Sequence, residues 1–268
     1  MPVMTSATLI GGAIGGAVMG SAAGAALDRW PSGSTMRHPR RSHCAACGVT
    51  LAGRDLVPVL SWLVLRGRCR SCSGTIDGRL PLLEAASAVG VALTLQVHGL
   101  DGRSVLLSVG VVAVMLATLT DLDAMIVPDR LTLPLGVVAV VGMSLPSPGT
   151  QGGPTVRLLV WALGVPFALH VVSRLTQWLT SARAIGGGDV KLLVGVLALA
   201  TALDDGPIAV LVLAVLGAAN VAIVGLVTGR LQRHDRIPFA PAIAGGYLAV
   251  VLVPTVATPV ARLLGGAA

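Results

Sequence analysis

Long apolar stretches separated by short polar segments dominate the chain. The first runs from Ala7 to Leu27, and seven more candidate spans follow at about residues 81–97, 104–120, 131–146, 158–173, 192–203, 207–228 and 238–262. A membrane-crossing helix needs about 20 mostly apolar residues, and a shorter stretch can be tilted or re-entrant. The pattern predicts an all-α polytopic membrane protein with about eight transmembrane helices.

The composition supports this interpretation. Of the 268 residues, 54% are hydrophobic and only 12% are charged, which is more apolar surface than a soluble domain of this size needs. Aromatic residues are scarce and Gly is abundant, which favours close helix packing through small side chains. The first apolar run has no basic residue before it, so we expect a retained span and not a cleaved signal peptide.

The basic residues predict the orientation. With eight spans and the N-terminus outside, all but three of the 19 Lys and Arg residues fall in cytoplasmic segments, where positive charge concentrates. The exceptions are Arg103, Arg157 and Arg262. This asymmetry accounts for the net charge of +7 without any nucleic acid. It predicts a multi-pass protein of the cytoplasmic membrane.

All four cysteines lie in the longest polar segment, residues 28–80, which this topology makes cytoplasmic. They form two C-x2-C pairs with 21 residues between them, namely Cys44, Cys47, Cys69 and Cys72. The spacing is typical of a Zn²⁺ site closed by four thiolates, whereas disulfides are disfavoured in the reducing cytosol. Since no coordination position stays open, the sequence predicts a structural, zinc-ribbon-like segment. Nucleic-acid binding is not expected, because Trp62 is the only aromatic residue between the pairs.

Two acidic motifs lie at span ends that the topology places on the cytoplasmic side. The sequence Gly186-Gly187-Gly188-Asp189-Val190-Lys191 precedes the sixth apolar run, and Asp121-Leu122-Asp123 ends the third. An ionisable group at the edge of hydrocarbon is costly and indicates a functional site. The alternative for Asp189 is a glycine-rich loop whose acid caps the next helix.

Two carboxylates brought together share one proton, so one can activate water while the other protonates a carbonyl oxygen. This is the chemistry of aspartic proteases. The sequence contains neither an HExxH nor a GxSxG motif. The residues alone leave open which acid of the first motif acts, because Asp121 and Asp123 differ by about 200° around a helix.

Two further acids have ordinary interpretations. Asp129 follows Pro128 and is predicted to lie in a solvated loop. Glu84, the only glutamate, stands at the start of the second span. It is predicted to act as a helix cap or to pair with Arg79.

These motifs resemble those of the prepilin leader peptidases of type IV pilus and type II secretion systems, and the resemblance covers most of the chain. The second aspartate motif is similar to GxGDxK. Besides the cysteine pairs and the two aspartate motifs, the similar stretches are Arg79-Leu80-Pro81-Leu82-Leu83-Glu84, Val127-Pro128-Asp129, Leu131-Thr132-Leu133-Pro134 and Pro238-Phe239-Ala240-Pro241. Two stretches depart from the family pattern. Gly20-Ser21-Ala22-Ala23-Gly24 stands where a GSFLN-like run is common, and Ala240 replaces a glycine of PFGP.

The resemblance implies an aspartic endopeptidase that cuts the basic leader from pilin-like precursors at the cytoplasmic face of a bacterial membrane. It implies Asp121 and Asp189 as the catalytic pair, with Gly186, Gly188 and Lys191 shaping the second site. It also implies methylation of the new N-terminus with S-adenosylmethionine, an activity linked to the cysteine segment. The expected domains are the first span (1–27), a four-cysteine zinc segment (28–80) and a peptidase bundle (81–268).

Other interpretations stay open at this point. Another GxGD-type intramembrane protease would share the aspartates but would not account for the cysteines. A proton-coupled transporter would also need intramembrane acids, although along a path and not clustered at one face. A non-enzymatic assembly protein would use the zinc segment to dock a partner.

Overall fold

The computed structural model describes residues 6–28, 42–144, 164–180, 186–203, 206–228 and 238–256. Over these ranges the regular structure is helical, apart from two isolated β-bridges. The helices are α1 (Ser6–Asp28), α2 (Leu60–Val64), α3 (Arg79–His98), α4 (Gly102–Ala124), α5 (Asp129–Ser144), α6 (Val165–Thr180), α7 (Gly187–Ala200), α8 (Gly206–Val227) and α9 (Ala240–Leu252). Short 3-10 turns lie at Gly53–Leu56 and Pro254–Val256.

Within the described ranges, four helices are long and apolar enough to cross a membrane: α1, α3, α4 and α8. The other predicted spans correspond to α5, α6, α7 and α9, which have 16, 16, 14 and 13 residues. Residues 145–146, 158–163 and 257–262 of the predicted spans lie outside the described residues. The all-helical class is confirmed, and the number of eight spans is not.

The chain divides into two compact units, Met1–Gly99 and Leu100–Ala268. The second span, α3, therefore belongs to the same unit as the cysteine segment. The domain boundaries expected at residues 27 and 80 stay a prediction, since they rest on where polar sequence meets apolar sequence.

In the first unit, α1 packs along α3 through a glycine at every fourth position. Gly12, Gly16, Gly20 and Gly24 are all buried. A β carbon added to Gly16 would overlap the Ser87 carbonyl oxygen, and one on Gly20 would lie 2.8 Å from the Ser87 hydroxyl. Only glycine lets the two backbones come this close, as is common between membrane helices.

In the second unit, α4 lies at the centre and packs against α5, α7 and α9. The core between these helices is aliphatic except for Tyr247 on α9, which is fully buried. The Tyr247 hydroxyl donates to the Leu107 carbonyl oxygen of α4 at 3.0 Å. A β carbon on Gly110 would overlap this hydroxyl, so the glycine makes room for it. The bond fixes α9 against α4 and, with it, the start of α9 near the end of α4.

Replacing Gly16 with Ala should destabilise the packing of α1 on α3, because the new methyl group overlaps the Ser87 carbonyl. Overpacking of this kind costs about 1–3 kcal/mol. The matched control is Gly15→Ala, since a β carbon at Gly15 meets nothing within 4 Å. Thermal unfolding of the detergent-solubilised protein should show a lower Tm for Gly16→Ala alone. Equal Tm values for the two variants would contradict the close contact.

Candidate active site

Asp121 lies in the last turn of α4 and is almost completely buried, with 4% of its surface exposed. The helix ends just beyond it, because Met125 takes a left-handed conformation (φ 53°) and its N–H donates to the Asp121 carbonyl oxygen at 2.9 Å. The Asp121 Oδ2 atom accepts the backbone N–H of Ala240 at 2.9 Å. Ala240 is the first residue of α9, so this charge-assisted bond joins the ends of two helices.

Asp189 lies in the first turn of α7, where Gly186 is the N-cap residue. Its carboxylate faces the Gly186 backbone N–H, a contact that acids at this helix position commonly make. The alternative prediction, that Asp189 caps the next helix, is therefore correct in part, because its carboxylate contacts the N–H of the N-cap residue Gly186. Its Oδ1 atom, however, is buried and has no hydrogen-bond partner among the described residues. A buried oxygen without a partner carries a desolvation penalty, and a catalytic role or a bound water molecule is a common reason for it.

The second unit brings Asp121 and Asp189 together although they are far apart in the chain. Helices α4 and α7 pack directly against each other, and the two carboxylates interact electrostatically as like charges. Asp123 lies on the exposed side of the same helix end. One acid of the first motif therefore faces the second motif, and the other faces outward.

The turn after α4 packs onto the start of α7. A β carbon on Gly188 would lie 2.6 Å from the Val127 carbonyl oxygen and 3.0 Å from the Val127 side chain. The glycine thus lets the turn approach the residue next to Asp189. Gly186 makes room for the Asp189 carboxylate, since a β carbon at Gly186 would lie 3.0 Å from Asp189 Oδ2.

Lys191 and Asp129 form an ion pair with an Nζ–Oδ1 distance of 2.5 Å. Both side chains are more than half exposed, so the pair adds little to stability and mainly favours one arrangement of α5 and α7. The loop predicted for Asp129 was wrong, although its solvent exposure was right. Pro128 acts as the cap of α5, since its carbonyl oxygen accepts the N–H groups of Leu131 and Thr132.

The cysteine segment consists of two knuckles that repeat at an interval of 25 residues. The Cys44 N–H donates to the Val49 carbonyl at 2.9 Å, and the Cys69 N–H donates to the Gly74 carbonyl at 2.8 Å. The residue after the second cysteine is left-handed in both knuckles, with φ 69° at Gly48 and 60° at Ser73. Other equivalent pairs are the β-bridges His43–Thr50 and Arg68–Thr75 and the hydrogen bonds Leu51–Ser42 and Ile76–Gly67.

This repeat gathers the four thiols into one group. Their sulfur atoms all lie within 4.8 Å of one another, and those of Cys44 and Cys72 are 3.8 Å apart. Backbone N–H groups of Cys47 and Ala46 lower the pKa of the Cys44 thiol to about 6. At Cys72 the Gly74 N–H acts in the same direction, but hydrogen bonds within the thiol cluster outweigh it and raise the pKa to about 12. Such a group of sulfur ligands can hold a metal ion.

An ion pair joins the second knuckle to the segment that links the two knuckles. Arg70, inside the second pair of cysteines, donates from Nε and Nη2 to Asp55 Oδ1 at 2.9 and 2.8 Å. This guanidinium lowers the pKa of the Asp55 carboxyl group. Arg70 therefore pairs with a carboxylate of the linking segment.

Comparison with known proteins covers both groups of residues. A family model described as "Bacterial Peptidase A24 N-terminal domain" matches residues 14–97, and one described as "Type IV leader peptidase family" matches residues 108–228. A prepilin leader peptidase/N-methyltransferase of Burkholderia pseudomallei (strain 1026b) is 36% identical over 227 residues, which are 84% of this chain and 70% of that protein. The chain belongs to the Type IV leader peptidase family. The resemblance predicted from the motifs is confirmed.

Further members of this family show similar coverage. The Bacillus subtilis (strain 168) protein of the same name is 32% identical over 79% of this chain and 81% of its own length. The one from Aeromonas hydrophila is 34% identical over 79% and 71%. The first matched region contains the four cysteines and the second contains both Asp121 and Asp189. No solved structure is significantly similar to the chain.

Two contacts of the site were not predicted from the sequence. The Ala240 N–H lies 119 residues from the carboxylate that accepts it, and Lys191 lies 62 residues from Asp129. A signal for the first existed, because Pro241 indicates a helix start and the first N–H groups of a helix need partners outside it. Nothing in the sequence identifies Asp121 as that partner.

Gly188→Ala should lower the stability of the second unit by about 1–3 kcal/mol, because the added methyl group overlaps the Val127 carbonyl. Gly187→Ala is the matched control, since a β carbon there meets nothing within 4 Å. Thermal unfolding in detergent measures both. A Gly188→Ala protein as stable as the control would show that the turn after α4 does not press on α7.

Proposed function

We propose that the chain is a prepilin leader peptidase that cleaves the basic leader of pilin-like precursors with Asp121 and Asp189 as its catalytic pair. The observation that carries the proposal is the meeting of these two carboxylates at the facing ends of α4 and α7. The names of the relatives support the reaction class. Both acids lie within the region that matches the leader peptidase family.

In the proposed mechanism one of the two carboxyl groups is protonated and the other is ionised, as in aspartic proteases. In the reaction, the ionised group takes a proton from a water molecule as that water attacks the carbonyl carbon of the scissile peptide. The protonated group gives its proton to the carbonyl oxygen. Collapse of the tetrahedral intermediate then breaks the C–N bond, and the leaving amine takes up the proton that was removed from water.

The contacts around the pair account for how each acid is held. The Ala240 N–H occupies Oδ2 of Asp121, which leaves its other oxygen for water. Asp189 Oδ1, the buried atom without a described partner, is assigned to the shared proton or the attacking water. Gly186, Gly188 and Lys191 have a positioning role, since they fix the first turn of α7 against the end of α4 and the start of α5.

A site at a membrane boundary suits such a substrate. The apolar stem of a precursor lies in the bilayer while its basic leader stays in water, so the junction between them is presented where water is available. We place the site at the cytoplasmic face of a bacterial membrane, with the N-terminus of the chain outside, on the basis of the basic residues.

We also propose that the four cysteines hold one structural Zn²⁺. Zn–S bonds of about 2.3 Å in a tetrahedron put the sulfur atoms about 3.8 Å apart. The Cys44–Cys72 separation of 3.8 Å fits this geometry. When bound, the ion supplies positive charge that four adjacent thiolates need. Cys44, Cys47, Cys69 and Cys72 would fill its coordination sphere, so its role is to stabilise the segment.

Methylation of the new N-terminus with S-adenosylmethionine is part of the proposal because the relatives are named N-methyltransferases. No residue of this chain is assigned to the methyl donor. The product of a cleavage reaction run with S-adenosylmethionine should gain the mass of one methyl group.

Asp121→Asn and Asp189→Asn should each lower the rate of leader removal by about 10² or more, because each removes a proton-transfer group. Asp123→Asn is the matched control, since Asp123 lies two residues from Asp121 on the exposed side of the helix. A pilin-like precursor is co-expressed with each variant and its mass is followed. The wild type and Asp123→Asn should both release the leader.

Each contrary result has a definite meaning. Wild-type cleavage by either dyad variant would remove that aspartate from the mechanism. If Asp123→Asn were inactive and Asp121→Asn active, Asp123 and not Asp121 would be the catalytic acid of the first motif. A folded wild type that cuts no precursor would favour a transporter or an assembly protein.

Purified protein should contain about one Zn²⁺ per chain. Cys72→Ser should lose most of the metal and destabilise the cysteine segment, whereas the neighbouring Ser71→Ala should keep both. Elemental analysis gives the metal content, and limited proteolysis reports the stability of residues 42–78. Equal metal content in the two variants would contradict the four-cysteine site.

A further inference from the structure

Within the described residues 42–78, the cysteine segment has an apolar surface that is exposed. This α2 patch is formed by α2 and the residues just before it, and its members with their exposed fractions are Leu56 (43%), Val57 (42%), Leu60 (60%), Leu63 (58%) and Val64 (76%). Contiguous exposed aliphatic residues of this kind mark a surface that binds something apolar.

A hydrogen bond holds the patch next to the N-terminal end of α3. The Val59 N–H donates to Glu84 Oε2 at 2.6 Å, and α2 begins at the next residue. Glu84 lies five residues into α3, about 7 Å along the helix from Arg79. Helix α3 is long and apolar enough to cross a membrane, and a crossing that begins near Arg79 puts the start of α2 close to the membrane surface. Glu84, predicted to cap the helix or to pair with Arg79, thus accepts a backbone N–H from the cysteine segment.

A second attachment fixes the orientation of α2. The Trp62 indole N–H donates to the Ile76 carbonyl oxygen at 3.2 Å, and its ring packs against Gly67. Val59 itself has φ 62°, which is unusual for a β-branched residue and is retained only because its surroundings fix it. With Val59 and Trp62 both held, the apolar side chains of α2 keep facing outward.

Charge identifies the partner. Arg54 precedes the patch, Arg66 and Arg68 follow it, and all three are exposed. Residues 54–68 contain one acidic side chain, Asp55, and its carboxylate is paired with Arg70. An apolar face bordered by cations fits the boundary between acyl chains and anionic lipid headgroups. A protein partner would not require the patch to lie beside the N-terminal end of a membrane-spanning helix, whereas a lipid surface does.

We propose that the α2 patch inserts into the surface of the anionic phospholipid bilayer, with Arg54, Arg66 and Arg68 at the headgroup phosphates. The cysteine segment is then held flat against the membrane by contacts of its own, in addition to its links to α1 and α3. This holds whether or not Asp121 and Asp189 are catalytic.

The test places a photoreactive diazirine amino acid at position 64 of the full-length protein in nanodiscs that contain phosphatidylglycerol. The matched control carries the same amino acid at position 49, an exposed valine (39%) on the first knuckle and outside the patch. After irradiation, mass spectrometry should find several-fold more phospholipid adducts at position 64. Equal yields at the two positions, or cross-links from position 64 to residues 100–268 of the same chain, would overturn the proposal.

A second comparison tests the arginines. The Arg66→Gln/Arg68→Gln protein with the probe at position 64 should give several-fold fewer lipid adducts in phosphatidylglycerol nanodiscs than the probe-bearing parent. In nanodiscs of phosphatidylcholine alone, the two proteins should give similar yields. Unchanged yield in phosphatidylglycerol would refute the headgroup contacts. Metal content checks that the cysteine segment of each protein is folded.

Discussion

Hydrocarbon offers no hydrogen-bond partners, so every polar side chain on the apolar helices has to find one inside the protein. The hydroxyl groups of this chain do so locally. Thr94, Ser108 and Thr118 each donate to the carbonyl oxygen four residues earlier, at 2.7 to 2.8 Å. Tyr247 solves the same problem across helices by donating to α4. Against this background Asp189 Oδ1 is an exception, because it is buried and has no hydrogen-bond partner among the residues that the structure describes. The proposed function gives this atom a partner in the form of a proton or a water molecule.

Closeness of the backbones is the second constraint, and small residues meet it in both units. Gly16 brings α1 against α3, Gly110 makes room for the Tyr247 hydroxyl, and Gly188 lets the turn after α4 reach α7. Gly15 and Gly187, which directly precede Gly16 and Gly188, would accept a β carbon without any contact. Close packing therefore requires glycine at positions 16 and 188 but not at the positions before them. The scarcity of aromatic residues follows from the same constraint, because large rings would separate the helices.

The sequence predicted those features that depend on local pattern. Apolar runs indicated the helices, and the spacing of the cysteines indicated the thiol cluster. The resemblance to a family selected Asp121 over Asp123, which helical periodicity alone could not do. The sequence did not predict contacts between residues far apart in the chain: Ala240 with Asp121, Lys191 with Asp129, and Val59 with Glu84. Such pairs depend on how the helices pack, and the sequence around one partner does not indicate which residue the other partner is. The loop expected at Asp129 failed for a related reason, because a proline can either interrupt a helix or precede one, and Pro128 precedes one.

The contact between Asp121 and α9 is made by a peptide group and not by a side chain. Any residue except proline supplies the same N–H at position 240, so the alanine that replaces the family's glycine leaves the donor in place, and its methyl group is fully buried in the core. What has to be preserved there is the path of the backbone. A relative could therefore have other residues in this segment and keep the same hydrogen bond to its aspartate. Such a relative would be recognised by a helix that starts at this position, even where its sequence no longer matches the motif.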